Sequence, residues 1–185
     1  MLGLRTDSGR RELKGKPVKP GPSPSPSPDG YTNLANIDWK AAGKVHAVKN
    51  QGSCGSCAAF CTASVMESMV AIKYGTPVVR LSEQHALDCG AVYGNYSCNG
   101  GWMERYFEFF SAEGAMLYSD YPYLGVDQSC QQNSSSTIAA EGDWATFVWL
   151  PAGAPVADIH AELVKGPLSI GLNASDWSDY TGGIM

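Results

Sequence analysis

The segment 58–74 is apolar around most of a helical circumference. A helix that is apolar on all sides is buried rather than lying on a surface, so this segment predicts a central helix that other elements cover. Gly75 follows it, at the position where helices commonly end. The apolar residues of the segment are Ala58, Ala59, Phe60, Ala63, Val65, Met66, Met69, Val70 and Ile72.

A cysteine, Cys57, stands where this helical pattern begins. At a helix N-terminus a thiol meets unpaired backbone N–H groups and the positive end of the helix dipole, which stabilise the thiolate. Cys54 and Cys61 lie within the same eight positions of the chain. Because the thiolate is the nucleophilic form of cysteine, Cys57 is the candidate catalytic residue.

The composition describes a globular chain with an uneven distribution of charge. A length of 185 residues with 44% apolar residues suits one domain or a compact pair of subdomains. Residues 1–20 hold six of the 13 basic and two of the 18 acidic residues, which leaves a net charge of −9 on the rest of the chain. An acidic body argues against nucleic acid as a partner, and we interpret the basic arm as a solvated tail.

The cysteines indicate an oxidising compartment. Six cysteines in a chain of this size favour disulfides, and Asn95, Asn133 and Asn173 begin N-glycosylation sequons. No stretch is long and apolar enough for a transmembrane helix, so we expect no membrane partner. Residues 1–5 lack the apolar region of a signal peptide, and we therefore expect that the natural N-terminus is missing.

The order of the elements predicts an α+β protein. Residues 1–30 form a tail and a Pro/Ser-rich linker that cannot build a core, and the globular part begins near residue 31. Helices in the front half and strands in the back half suggest two lobes. The remaining predicted elements are a helix with Ser82 as N-cap, a helix over 101–112, a strand over 144–149, a short helix over 156–164 and a strand over 167–172.

Several short motifs, taken together in their order, resemble the papain-like cysteine proteases, the cathepsin family. The local signature of that family is Cys-Gly-Ser/Ala-Cys-Trp/Tyr, which the chain follows up to Cys57. The resemblance implies a two-lobed papain-like fold with a complete helical lobe over about 41–142. It also implies a β-rich lobe, truncated here, from 31–40 and 143–185. The motifs are Asp38-Trp39, 48–57, 81–84, 87–89, 98–101, 121–123, 166–170 and 182–184.

The resemblance assigns catalytic roles to two positions. Cys57 matches the nucleophile that attacks the scissile carbonyl and becomes acylated. Gln51 matches the glutamine whose side-chain amide donates to the oxyanion, together with the backbone N–H of Cys57. Taken alone, without the motif around it, Gln51 would be interpreted as a surface loop amide.

Substrate-binding roles follow by the same resemblance. Gly100 and Gly101 match the glycines whose backbone binds an extended substrate as an added strand. An apolar pocket wall is implied at Trp102, Met103, Leu168 and Gly171, although Trp102 could be ordinary helix core. The implied substrates are peptides, and a propeptide or a cystatin-like inhibitor is the implied regulator.

The resemblance also pairs the cysteines. Four cysteines allow three pairings, and the family pattern selects Cys54–Cys98 and Cys89–Cys130. We interpret Cys61 as an inert thiol in the central helix, and Glu67 on the same helix as structural.

Two other classes compete for the cysteine cluster. Cys54 and Cys57 have the spacing of a thioredoxin-like redox pair, but the residues before them read as a loop rather than a strand. A zinc site would need a second pair at ligand spacing, whereas Cys89 and Cys98 are nine residues apart. We therefore expect neither a metal nor a cofactor.

The chain departs from the family pattern at two points. Ala58 replaces an aromatic residue beside the nucleophile, and the base histidine and its asparagine are expected beyond residue 185. We expect His46, His85 and His160 to lie at or near a surface. The 185-residue chain alone is then expected to be a monomer with little or no peptidase activity, in a lysosomal, vacuolar or secreted protein. The alternative is an inactive papain-like fragment or a binding module.

Overall fold

The computed structural model describes residues 37–133, 137–138, 147–173, 175, 177 and 179–181. The predicted tail and linker over 1–30 lie outside these residues. So does the first half of the strand predicted over 144–149. The domain boundaries drawn from the sequence therefore stay a prediction.

The described chain contains four helices and one small sheet. The two strands pair antiparallel, with Ala115 opposite Ile138. Two short 3₁₀ turns, Gly90–Tyr93 and Ser97–Asn99, lie between the second and third helices. In chain order the elements are α1 Cys57–Lys73, α2 Glu83–Cys89, α3 Met103–Glu113, β1 Ala115–Met116, β2 Thr137–Ile138 and α4 Val156–Leu163. No helix among these residues combines the length and the apolar character needed to cross a bilayer.

Helix α1 is the central helix that the apolar pattern predicts. It packs against α2 and α3, and more than half of its residues are buried. The helix ends where Gly75 takes a left-handed φ of 63°, as a C-terminal glycine commonly does. Three residues of the predicted apolar set are not buried: Met69 is 37% exposed, and Val65 and Val70 are half-buried. The buried residues of α1 are Ala58, Ala59, Phe60, Thr62, Ala63, Met66, Glu67, Ser68, Ala71 and Ile72.

Helix α2 begins at the predicted cap. The Ser82 hydroxyl accepts a hydrogen bond from the backbone N–H of His85 at 2.9 Å, which satisfies one orphan donor of the first turn. Every residue of α2 is buried, so the expectation that His85 lies near a surface is wrong. On the side that faces α3, the His85 ring lies 5.0 Å from the ring of Phe109.

Helix α3 supplies the aromatic part of the core. Tyr106, Phe109 and Phe110 are buried on one side of it, as the sequence predicts. Trp102 lies outside the helix as its N-cap residue and is only half-buried. The core cluster consists of Ala58, Ala59, Ala63, Met66, Leu81, Ala86, Cys89, Tyr106, Phe109, Phe110 and Ala115.

The two predicted strands of the back half are not strands in the described residues. Residues 147–149 and 167–172 have irregular backbone, although the short helix between them forms as predicted, as α4. A strand needs a neighbour to satisfy its backbone groups, and the described residues place no strand beside either segment. One contact ties the front of the chain to this region: the Trp39 indole N–H donates to the carbonyl of Leu163 at 2.8 Å.

A buried ion cluster joins the segment before Cys57 to α1 and α2. The Lys49 ammonium lies 2.6 Å from a carboxylate oxygen of Glu67 and 2.7 Å from one of Glu83. Both carboxylate side chains are fully buried, and the Glu67 oxygen also accepts the backbone N–H of Leu81 at 2.7 Å. Burial raises the pKa of Glu67, and the nearby charge of Lys49 opposes this rise. The structural interpretation of Glu67 agrees with these contacts.

Removing the Lys49 ammonium should destabilise the protein strongly. In Lys49→Met two buried carboxylates lose their shared counter-ion, which should lower the free energy of unfolding by about 3–5 kcal/mol. The matched control is Lys165→Met, because Lys165 pairs with Glu162 at 2.8 Å in a partly exposed position. That variant should change stability by less than about 1 kcal/mol. Equal effects of the two variants in urea unfolding would contradict the assignment.

Burial of His85 should make the protein acid-sensitive. Desolvation lowers the pKa of His85 to about 4, from about 6.5 in an unfolded chain. Between these values the unfolded chain takes up the proton and the folded chain does not, so stability falls as the pH falls. The loss relative to His85→Asn should reach about 3 kcal/mol at pH 4.

The comparison with His85→Asn isolates this effect, since burial raises the pKa of Glu67 and Asp88, which act in the opposite sense. Urea unfolding at pH 7, 6, 5 and 4 measures it. His160→Asn, at an exposed position of α4, should follow the wild type at every pH. Parallel pH profiles for the wild type and His85→Asn would show that the histidine titrates normally.

Candidate active site

Cys57 is the first residue of α1 and carries a free, half-buried thiol. The first helical hydrogen bond runs from the N–H of Phe60 to the carbonyl of Ser56 at 3.1 Å. The N–H groups of residues 57–59 therefore have no acceptor within the helix. Ser56 is the N-cap residue, but its side chain makes no cap hydrogen bond to these donors. A nucleophile and uncapped backbone donors thus meet at one helix end.

The loop before Cys57 is held against a second segment of chain. Cys54 forms a disulfide with Cys98, and the backbone N–H of Gly55 donates to the carbonyl of Cys98 at 2.9 Å. A Cβ atom on Gly55 would lie 2.5 Å from that same carbonyl oxygen. Glycine at position 55 is therefore required for the close approach of the two backbones.

Gln51 lies at the start of this loop and is half-buried. Its side-chain amide donates to the carbonyl of Cys54 at 2.8 Å. A primary amide carries two N–H groups, so this bond uses one of the two donors that Gln51 offers. The structure thus orients the amide across the loop that ends at Cys57.

Tyr123 bridges the two ends of the loop, a contact that sequence reasoning missed. Its hydroxyl lies 2.7 Å from the backbone carbonyl of Gln51 and 2.7 Å from the Ser56 hydroxyl. Its ring packs edge-on against Phe60, with the ring centroids 4.7 Å apart. The sequence signal was present, because Tyr123 closes the Tyr-Pro-Tyr motif, but the motif suggested no role for it.

The glycines predicted to bind substrate are both buried. Gly100 has a φ of 100°, which side-chain-bearing residues rarely adopt. A Cβ atom on Gly101 would lie 2.5 Å from Oδ1 of Asn95. Their glycine character therefore has a structural cause, and substrate binding stays a prediction. Asn95 is 4% exposed and accepts the N–H of Trp102 at 2.9 Å, so this sequon does not present its side chain to solvent.

Of the predicted pocket residues, Met103 contacts the chain segment to which Leu168 and Gly171 belong. Met103 opens α3, and Ser169 donates its hydroxyl to the Met103 sulfur at 2.6 Å. Ser169 lies between the predicted wall residues Leu168, which is half-buried, and Gly171, which is exposed. Cys61 lies 3.0 Å from the Ser169 hydroxyl, a contact that the sequence did not indicate. Since that hydroxyl donates to Met103, the Cys61 thiol is the donor in this second bond.

The cysteines outside the Cys54–Cys98 bond either form a second disulfide or remain free. The structure contains a second disulfide, Cys89–Cys130, so both bonds are the pairs that the resemblance implies. Cys57 and Cys61 are the free thiols. Within the part of the chain that the structure describes, no three histidine, cysteine or carboxylate side chains are grouped to hold a metal ion.

The family signature named papain family cysteine protease matches residues 34–185. The chain belongs to the papain family of cysteine proteases. Cathepsin L of Sarcophaga peregrina is 38% identical over 149 residues, which cover 80% of this chain and 43% of the relative. A cathepsin L-like peptidase of Aedes aegypti is 35% identical over 172 residues, covering 92% of this chain and 49% of the relative.

Solved structures of papain-family proteases show the same fold. Procathepsin L 3 of Tenebrio molitor larval midgut is 36% identical with a TM-score of 0.54, covering 62% of this chain and 37% of that one. Bromelain of Ananas comosus, in complex with the E64 inhibitor, is 38% identical with a TM-score of 0.50. Its match covers 56% of this chain and 46% of bromelain. This papain-family chain spans less than half the length of the relatives described above.

Proposed function

We propose that the protein containing this chain is a cysteine peptidase that hydrolyses peptide bonds through Cys57. The supporting observation is the position of the free thiol at the first residue of α1, whose leading backbone N–H groups have no helical acceptor. The helix dipole and these donors favour negative charge at this point. The fold and the family of the chain agree with this chemistry.

In the proposed reaction the Cys57 thiolate attacks the carbonyl carbon of the scissile bond. The carbonyl oxygen becomes an oxyanion, which accepts hydrogen bonds from the Gln51 amide and the backbone N–H of Cys57. The C–N bond then breaks, the amine leaves with a proton from the protonated base, and an acyl-enzyme remains. Water attacks the thioester, the base takes its proton, and the thiolate is released.

The proposed base is a histidine, oriented by an asparagine, that we expect beyond residue 185. The described residues show no hydrogen bond between a histidine and Cys57, and His85 is enclosed in the core. Such an imidazole would accept the thiol proton and hold it next to the thiolate in the resting enzyme.

The proposed substrates are peptides bound in an extended conformation. Gly100 and Gly101 would offer their backbone to the substrate, and Met103 and Leu168 would line a pocket that favours an apolar side chain. We further propose that a propeptide or a cystatin-like inhibitor occupies this cleft before or after activation. The two disulfides agree with a lysosomal, vacuolar or secreted location for a monomeric protein.

The second candidate is a papain-like fragment or binding module without activity. It is favoured by the described residues, in which no histidine forms a hydrogen bond with Cys57. The two candidates differ in their dependence on Cys57. A peptidase loses turnover when the thiol is replaced, whereas a binding module retains its affinity for peptides.

Replacing the Gln51 amide should reduce turnover rather than substrate binding. In the protein containing this chain, Gln51→Ala should lower kcat on a dipeptidyl fluorogenic substrate by about 10²-fold, because one oxyanion donor is lost. KM should stay nearly constant. Cys57→Ser should abolish the reaction, and the control Gln131→Ala, at an exposed glutamine, should leave it unchanged. Undiminished hydrolysis by Cys57→Ser would rule out the proposed function.

A further inference from the structure

Tyr123 is placed to organise the end of α1, although it lies 66 residues after the nucleophile. Its ring is fixed on the first turn of α1 by the edge-on contact with Phe60. Its hydroxyl reaches two groups of the cysteine loop, the Gln51 carbonyl and the Ser56 hydroxyl, both at 2.7 Å. Gln51 also carries the proposed oxyanion donor, and Ser56 directly precedes the proposed nucleophile Cys57.

The direction of the two hydrogen bonds follows from their chemistry. A backbone carbonyl can only accept, so the single hydroxyl proton of Tyr123 is donated to Gln51. The Ser56 hydroxyl must then donate its own proton to the Tyr123 oxygen. Burial raises the pKa of Tyr123, and the smaller opposing effect comes from the Ser56 hydrogen bond. Tyr123 therefore keeps its proton at neutral pH and remains a donor.

This arrangement explains why Ser56 does not cap its own helix. Serine is among the preferred N-cap residues, because its oxygen normally accepts an N–H of the first turn. In this structure Ser56 is 1% exposed, and its hydroxyl is turned toward Tyr123 instead. The N–H groups at the start of α1 are thus left without the acceptor that their own N-cap residue could have supplied.

We propose that Tyr123 is a positioning residue for the oxyanion site. Its hydroxyl holds the Gln51 backbone against Ser56, and it draws the Ser56 side chain away from the end of α1. The leading amides of α1 then stay available to the reacting carbonyl oxygen. This inference rests on the proposed peptidase function, and Tyr123 acts through Gln51 and Ser56 without touching the substrate itself.

The kinetic test uses Tyr123→Phe, which removes the hydroxyl and keeps the ring on Phe60. The expected result is a kcat about threefold to tenfold lower at constant KM, the size of effect expected for one hydrogen bond. The double variant Gln51→Ala/Tyr123→Phe should be slower than Gln51→Ala by a smaller factor than Tyr123→Phe costs in the wild type, because one of the two effects of Tyr123 acts through the Gln51 amide. Additive losses in the double variant would overturn the proposal.

Tyr121→Phe is the matched control for a loss of stability in the same motif. Tyr121 donates to Asp88 at 2.9 Å and lies outside the loop contacts of Tyr123. This variant should destabilise the protein and leave kcat unchanged. A drop in kcat equal to that of Tyr123→Phe would show that Tyr123 acts only through stability.

A second readout does not depend on activity. Hydrogen–deuterium exchange of the peptide covering residues 50–57 should be faster in Tyr123→Phe than in the wild type, and unchanged in Tyr121→Phe. If the wild type shows no Cys57-dependent hydrolysis, the proposed function fails, while the exchange result still decides whether Tyr123 holds the loop. Equal exchange in the wild type and Tyr123→Phe would overturn the inference.

Discussion

The ammonium of Lys49 is the contact on which the candidate site depends. It lies between carboxylates of α1 and α2 and belongs to the chain segment that leads into the cysteine loop. A buried ion pair contributes little net stability compared with an apolar replacement, but losing one partner is costly. Its effect is therefore one of position: the ammonium fixes the start of the loop relative to both helices.

The remaining constraints fix the loop at its other points. The Cys54–Cys98 disulfide joins residues 44 positions apart. In the entropic account, this restriction of the unfolded chain stabilises the folded protein by about 4 kcal/mol. The Tyr123 hydroxyl joins the two ends of the loop near Gln51 and Ser56. With the loop held at these points, Cys57 lies at the first position of α1, whose N-cap side chain makes no cap hydrogen bond. The contacts of Lys49, of the disulfide and of Tyr123 therefore stabilise the fold and position the candidate site.

The sequence predicted the helices well, because their signals are local. The apolar circumference of 58–74 and the Ser82 cap both correspond to helices in the structure. The strand predicted over 167–172 was wrong, since a strand depends on a neighbour that its own residues cannot specify. His85 was placed near a surface for the same reason: its burial depends on Phe109 and Tyr121, which lie far from it in sequence.

The sequence supplied candidate residues for the site, but not the hydrogen bonds that hold them in place. Motifs pointed to Cys57 and Gln51 as candidates, whereas the bond from Tyr123 to the loop and the bond from Cys61 to Ser169 join residues 72 and 108 positions apart.

A peptide-based electrophile tests the central claim directly, since Cys57 and Cys61 are both free thiols. Mass spectrometry of the labelled protein should locate the adduct on Cys57 and leave Cys61 unmodified. An adduct on Cys61, or equal labelling of both, would contradict the account.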